Sequence, residues 1–263
     1  MGGELSGKAA VVTGSTQGLG AAIARAFVRE GARVVLSGRS REKGEALARE
    51  LGPGAVFQPT DLRKVDDCRA LVARAREAFG PIDLLVNSAA LSARSTVETF
   101  TPESFDEVVH TNLRAPLLLA QAALPDLTAR GGAIVNIGSI NAYMGEPSLL
   151  VYAATKGALQ TASRNLAHAL KHERVRVYCL NCGWIDTDGE RAMMASLGHP
   201  PDFIEKHGKL FPLGRILKPE EVAEVVVFLA SDRAAPFSGQ VIELEQFPTG
   251  PLGLPARKQG VTT

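Results

Sequence analysis

Seven short apolar runs punctuate the chain, at residues 9–13, 33–37, 55–59, 82–87, 133–138, 174–181 and 240–244. Their length, β-branched content and flanking glycines mark strands buried on both faces. Between several of them apolar residues recur every three or four positions, which predicts helices over 18–30, 41–51, 65–79 and 152–172. Thr101-Pro102-Glu103 carries the signs of a helix start: a capping hydroxyl, a proline in the first turn and an acid at the positive end of the dipole. That helix is expected to run toward residue 129 despite Pro116, and Pro219-Glu220-Glu221 opens another. Strand and helix alternate with connections suited to right-handed crossovers. The pattern predicts an α/β fold, a Rossmann-like doubly wound parallel sheet of about seven strands.

No linker divides the chain, so residues 1–263 read as a single domain. The stretch 183–218 differs in texture, with Glu190-Arg191-Ala192-Met193-Met194 and then Pro200-Pro201. It is expected to form short helices in a substrate flap, with an uncommitted surface insertion as the other reading. Residues 248–263, rich in proline and glycine, read as an irregular tail.

Composition narrows the function classes. The 29 basic and 28 acidic side chains nearly cancel, which argues against a nucleic-acid surface. No apolar run approaches the roughly 18 residues a membrane span needs. The N-terminus lacks the apolar segment of a secretory signal. It matches a loose acylation pattern through Gly2 and Ser6, but no polybasic patch supplies a second anchor. Three cysteines, Cys68, Cys179 and Cys182, are too few for a disulfide scaffold, so a cytoplasmic location is expected. Cys179 and Cys182 supply half of a zinc set and nothing nearby completes it, so no metal is expected.

Candidate chemistry begins at Thr13-Gly14-Ser15-Thr16-Gln17-Gly18-Leu19-Gly20, between the first strand and the first helix. Glycines there permit a tight turn and close approach of backbone to a pyrophosphate, and the helix aims its N–H groups at the negative charge. The second strand ends in Gly38-Arg39-Ser40 instead of an acid that would accept from ribose hydroxyls. Arg39 suits a 2′-phosphate, and Ser15 or Thr16 can add hydroxyl donors, which favours NADP(H) with NAD(H) as the alternative. Asp61 closes the third strand, where its carboxylate can accept from an adenine amino group, and Leu62 follows it. Asn87-Ser88-Ala89-Ala90 follows the fourth strand, and its small residues let a cofactor lie against backbone.

Tyr152 and Lys156 are four residues apart at a helix start and share one face. An ammonium beside a phenol favours the phenolate. Ser139, just beyond the fifth strand, can hydrogen-bond a carbonyl oxygen opposite the phenol. The set suits carbonyl reduction, with hydride delivered to carbon and the Tyr152 proton to oxygen. Pro116 has no N–H for the Asn112 carbonyl four residues earlier, which leaves that carbonyl free for a water near Lys156.

Taken together, these motifs resemble the short-chain dehydrogenase/reductase family over residues 7–245. The resemblance implies that Thr13, Gly14, Gly18, Gly20, Asp61 and Asn87 belong to the cofactor site, and that Asn112, Ser139, Tyr152 and Lys156 form the catalytic tetrad. It implies that Gly183, Ile185 and Thr187 lie by the nicotinamide, and that Ala89 lies along the cofactor. A water-and-ribose proton relay and a homotetramer are further implications. Three departures stand out: Ser88-Ala89-Ala90 for the usual Asn-Ala-Gly, Cys182-Gly183 for Pro-Gly, and Glu245-Gln246-Phe247 for Asp-Gly-Gly. Substrate contacts are expected from Asn141, Tyr143 and Glu146 after the fifth strand, and from Trp184 and Glu190 after the sixth. Their mixture suits a sugar, polyol or other small polar substrate. The alternatives are a ketoreductase for short-chain or acyl-carrier-linked β-keto substrates and, more remotely, a non-catalytic NADP-binding sensor.

Overall fold

The computed structural model describes residues 3–247, so the tail expected over 248–263 lies outside the described residues. Seven strands form one sheet: β1 (Ala9–Val12), β2 (Arg33–Gly38), β3 (Ala55–Pro59), β4 (Leu84–Asn87), β5 (Ala133–Ser139), β6 (Arg176–Cys182) and β7 (Val241–Leu244). Their order is β3-β2-β1-β4-β5-β6-β7, and every pairing is parallel. The order reverses between β1 and β4, which opens a crevice at the carboxyl ends of the strands.

The helices between strands are α1 (Gly18–Arg29), α2 (Arg41–Leu51), α3 (Val65–Phe79), α4 (Pro102–Val109), α5 (Ala115–Arg130), α6 (Leu150–Ala169) and α9 (Pro219–Ala230). Alternate strand residues serve opposite faces. Ala10, Val12, Val34 and Leu36 pack in one layer with residues of α1 and α9. Val11, Val35, Leu85 and Ile134 enter the other, against α3 and α5. Both faces are therefore covered, which is why the strands read as unbroken apolar runs.

The single helix expected from residue 101 toward 129 is instead three pieces. Thr101 caps α4 through a reciprocal bond pair with Ser104, and a π-helical turn, His110–Arg114, separates α4 from α5. Pro116 sits in the first turn of α5, where a missing N–H is tolerated, and the wider turn before it absorbs the mismatch. That turn carries the buried Asn112.

Residues 183–218 contain two short helices, α7 (Asp188–Ser196) and α8 (Phe203–Gly208). Met194, Ile204 and Ile216 form a small core there, joined by Trp184, Met193, Phe203 and Phe211. Arg191 pins it electrostatically, holding both oxygens of Asp186 at 2.7 Å and Glu205 at 2.7 Å.

Candidate active site

The β1–α1 turn has the geometry its glycines suggest. Gly14 has φ +66°, and a Cβ there would lie 2.8 Å from the Ala89 Cα. A Cβ on Gly20 would lie 2.4 Å from the Gly14 carbonyl oxygen. Backbone thus packs against backbone where side chains would wedge the turn open. Thr13 fastens it from below: its hydroxyl accepts from the Ser88 and Ala89 N–H groups at 3.0 and 3.1 Å. A cleft of about 400 Å³ lies over this turn, with Thr16, Gln17, Gly18 and Leu19 in its wall. Cleft size, glycine cradle and helix N-terminus together fit a dinucleotide.

Two of the residues expected at the cofactor face the core instead. The Ser15 hydroxyl is fully buried, donating to the Val12 carbonyl at 2.8 Å and accepting from the Ser37 N–H at 2.9 Å. It is committed to joining β1 to β2 and is not free to serve as a phosphate donor. The Asn87 side chain donates to Asn136 at 2.8 Å beneath the sheet end, and Asn87 lines neither of the clefts described here. Thr16 is the hydroxyl on the cleft, approached so closely by Gly38 that a Cβ there would lie 2.7 Å from its methyl carbon.

Arg39 is exposed at the end of β2, in the wall of the same cleft. Asp61 and Leu62 line it too. Asp61 is gripped by Arg63, whose guanidinium bonds both its oxygens at 2.8–3.2 Å. Those hydrogen bonds hold its carboxyl down at about 2. The Asp61 carboxylate is therefore already partnered within the protein.

A second cleft, of about 540 Å³, adjoins the first, and Ser88, Ala90 and Thr187 belong to both walls. Ser139, Tyr152 and Lys156 line it together. Helix α6 begins at Leu150, so Tyr152 and Lys156 stand one above the other on its first turns. The Lys156 ammonium is buried, donates to the Ile137 carbonyl at 2.7 Å and lies 5.5 Å from the Tyr152 ring centroid. Ser139 ends β5, and its hydroxyl accepts from the Asn141 N–H at 3.2 Å. Asn112 lies behind this group. Its side chain accepts from the Leu91 N–H at 2.8 Å and donates to the Leu91 carbonyl and to Thr155 on α6. It thereby fixes the loop after β4 relative to the helix that bears Tyr152. The Ser88 hydroxyl oxygen, at the seam of the two clefts, is buried with no partner among the described residues. A buried hydroxyl left open there is what a bound ribose or nicotinamide would satisfy.

Gly183 and Ile185 line this second cleft, and the Thr187 hydroxyl caps α7 by accepting from the Glu190 N–H at 3.0 Å. Of the substrate-contact candidates, Asn141, Glu146, Trp184 and Glu190 reach this cleft. Trp184 and Glu190 are partners, the indole N–H donating to the carboxylate at 2.8 Å. Tyr143 is exposed and does not line the cleft, because the loop turns outward after Asn141. Sequence reasoning missed Arg94, His199 and Phe203, all in the cleft wall. His199 and Phe203 stack at 3.8 Å between ring centroids, an arrangement that exists only once α7 and α8 have folded together. Cys182 is buried in the same wall, and burial pushes its thiol up to about 12.

A family profile described as enoyl-(acyl carrier protein) reductase matches residues 14–246. The chain belongs to the short-chain dehydrogenase/reductase family. This short-chain enzyme is accordingly an NAD(P)-dependent oxidoreductase that interconverts CH–OH and carbonyl groups. It is 36% identical over 233 residues to an L-fucose dehydrogenase of Bos taurus, covering 88% of this chain and 86% of the relative. It is 34% identical over 246 residues to a 3-oxoacyl-(acyl-carrier-protein) reductase of Chlamydia muridarum, covering 92% and 97%. The solved L-sorbose reductase from Gluconobacter frateurii, complexed with NADPH and L-sorbose, superposes with a TM-score of 0.86 at 31% identity, covering 94% of this chain and 97% of that one. Among the described residues no helix is long and apolar enough to cross a membrane, and no cluster suits a metal ion.

Proposed function

We propose that this short-chain enzyme interconverts the carbonyl and secondary alcohol of a sugar, polyol or similarly hydroxylated small molecule, with NADP(H) preferred over NAD(H). The observation that carries the reading is the catalytic cleft itself. Asn141, Glu146, Glu190 and Arg94 place polar and charged groups around Ser139 and Tyr152. These groups suit a substrate that brings several hydroxyls, while Trp184, Met193, Met194 and Phe203 in the same wall can pack against its carbon skeleton. The similarity to an L-fucose dehydrogenase and an L-sorbose reductase supports the same class.

A nicotinamide bound along these two clefts would supply or accept the hydride. Thr16, Gln17 and the N–H groups of the β1–α1 turn, which line one cleft with Arg39, would hold its phosphates, and Arg39 would pair with a 2′-phosphate. Gly183, Ile185 and Thr187, in the wall of the second cleft, would hold the nicotinamide, and Lys156 would hold ribose hydroxyls. Ser139 orients the substrate oxygen. Tyr152 gives that oxygen its proton in reduction and takes it back in oxidation.

The assembly belonging to this reading is a homotetramer in the cytoplasm. Phe100, Phe105, Leu117 and Leu150 are exposed on and beside α4, α5 and α6, and among the described residues β7 pairs on one side only, with β6. Subunit contacts would cover both surfaces. The second reading, a β-ketoacyl reductase, is favoured by the similarity to the 3-oxoacyl reductase.

Turnover by purified enzyme of aldoses, ketoses, polyols and short β-keto esters, each with NADPH or NADH and in both directions, tests the proposal. The expected result is a hydroxylated substrate preferred at least about tenfold, equivalent to about 1.4 kcal/mol. A tenfold preference for the keto ester replaces the first reading with the second. A strong NADH preference refutes the role given to Arg39.

A further inference from the structure

The loop after β4 reaches the catalytic cleft through a contact not anticipated from its sequence. Ser95 forms an isolated parallel bridge with Leu149, its N–H donating to the Ser148 carbonyl at 2.9 Å and its carbonyl accepting from the Leu150 N–H at 3.1 Å. This clamp sets Arg94 on the cleft wall just before α6. The Arg94 Nη1 donates to the Ser148 hydroxyl at 2.6 Å, and that hydroxyl donates onward to Glu146 Oε1 at 2.7 Å. The Ser148 N–H also donates to the same oxygen at 3.1 Å. The Ser148 bonds, with a smaller contribution from the Arg94 charge, hold the Glu146 carboxyl below the usual carboxylate range. A guanidinium and a carboxylate thus stand side by side on one rim, joined through a serine hydroxyl, and both line the cleft that holds Tyr152.

We infer that Arg94 and Glu146 form a hydroxyl-reading subsite for the end of the substrate remote from the reacting carbonyl. The inference rests on the sugar reading above and names the residues that enforce it. A hydroxyl both donates and accepts, so neighbouring hydroxyls of a sugar can accept from the remaining guanidinium N–H groups and donate to Glu146 Oε2. A carboxylate-bearing substrate gains from Arg94 but meets Glu146 as a like charge. An alkyl chain desolvates both charged groups and returns nothing. The rim therefore selects polyhydroxylated neutral molecules over acids and acyl chains.

The test compares the best-used sugar of a panel containing L-fucose and L-sorbose with cyclohexanone, which carries no second oxygen. Arg94→Met keeps length and removes the donors, and Glu146→Gln keeps shape and removes the charge. Each variant should lower kcat/KM for the sugar about ten- to a hundredfold, chiefly through KM, since a hydrogen bond to a charged group is lost. Cyclohexanone turnover should stay within twofold, which shows that fold, cofactor site and Tyr152 are intact. Equal losses on both substrates, or no loss on the sugar, overturn the subsite while leaving the sugar reading in place. A wild-type enzyme that ignores every sugar and reduces β-keto esters overturns the sugar reading and the subsite together.

Discussion

Removing the carboxamide of Asn181 should loosen the active site from within. Asn181 lies on β6 and is fully buried. Its Oδ1 accepts from the Ser139 N–H at 3.1 Å, and its Nδ2 donates to Gln160 Oε1 on α6 at 2.8 Å. One side chain thus ties the strand end that bears Ser139 to the helix that bears Tyr152 and Lys156. The neighbouring strand makes room for it: a Cβ on Gly138 would lie 2.0 Å from the same oxygen. In Asn181→Ala the buried Ser139 N–H loses its acceptor, a cost of about 1–3 kcal/mol. The vacated volume adds a smaller penalty. Gln160 is only half-buried and can turn to water, so its loss counts little. The sum is about 3 kcal/mol, equivalent to a Tm fall of roughly 6–12 °C for a chain of this size. Calorimetry or circular dichroism melting of Asn181→Ala and Gln160→Ala provides the measurement. Gln160→Ala keeps the Ser139 bond but withdraws the acceptor of the buried Asn181 Nδ2, so it should cost about 1–2 kcal/mol, less than Asn181→Ala because water can enter the half-buried space that Gln160 leaves. The reasoning fails if Asn181→Ala melts within a degree of wild type, or if Gln160→Ala costs as much. A fall in kcat with cofactor affinity retained should accompany the stability loss.

Other outcomes follow from the same geometry. Tyr152→Phe should keep the fold and cofactor binding yet lose about 10²–10⁴-fold in turnover with a substrate for which hydride transfer is rate-limiting; near-normal turnover removes the acid/base role. Arg215 and the Lys218 N–H hold the Glu221 carboxyl down at about 2, below its ordinary 4.5. A carboxyl depressed on folding stabilises above its unfolded value and ceases to do so as pH falls through the folded one. The Tm gap between wild type and Glu221→Gln should therefore be small, since water screens this half-exposed pair, and should close between about pH 4.5 and 2. A gap that widens toward acid contradicts the assignment. Burial pushes the Cys68 and Cys182 thiols to about 11 and about 12. Iodoacetamide at pH 8 should leave both unmodified in the native enzyme and modify both in urea, and rapid native labelling of Cys182 would show an open, reactive thiol.

Local signals carried the geometry of the glycine turn and the shared helical face of Tyr152 and Lys156. The glycines at 14, 18 and 20 act within one turn, and the four-residue step from Tyr152 to Lys156 acts within one helix, so their geometry follows from neighbours in sequence. The strand and helix boundaries were legible for the same reason, with a shift of one to three residues at several ends. The long helix through Pro116 was misjudged because the sequence shows that an N–H is missing but not how the chain responds, here by opening a π turn that seats Asn112 against Leu91 and Thr155.

The sequence by itself determined the doubly wound sheet, because alternate residues of each strand must be apolar when helices cover both faces. It also pointed to the reaction class, because the glycine turn and the Ser139, Tyr152 and Lys156 motif that carry the family resemblance are short and closely spaced. Only the tertiary structure decided which polar residues turn toward the cleft. Ser15 and Asn87 carry the right chemistry for a cofactor contact, yet partners on adjacent strands, Ser37 and Asn136, draw them into the core. Arg94 carries no local signal at all. It reaches the cleft that Tyr152 lines because the Ser95–Leu149 bridge joins segments more than 50 residues apart, and such long-range pairing is settled only when the whole chain has packed.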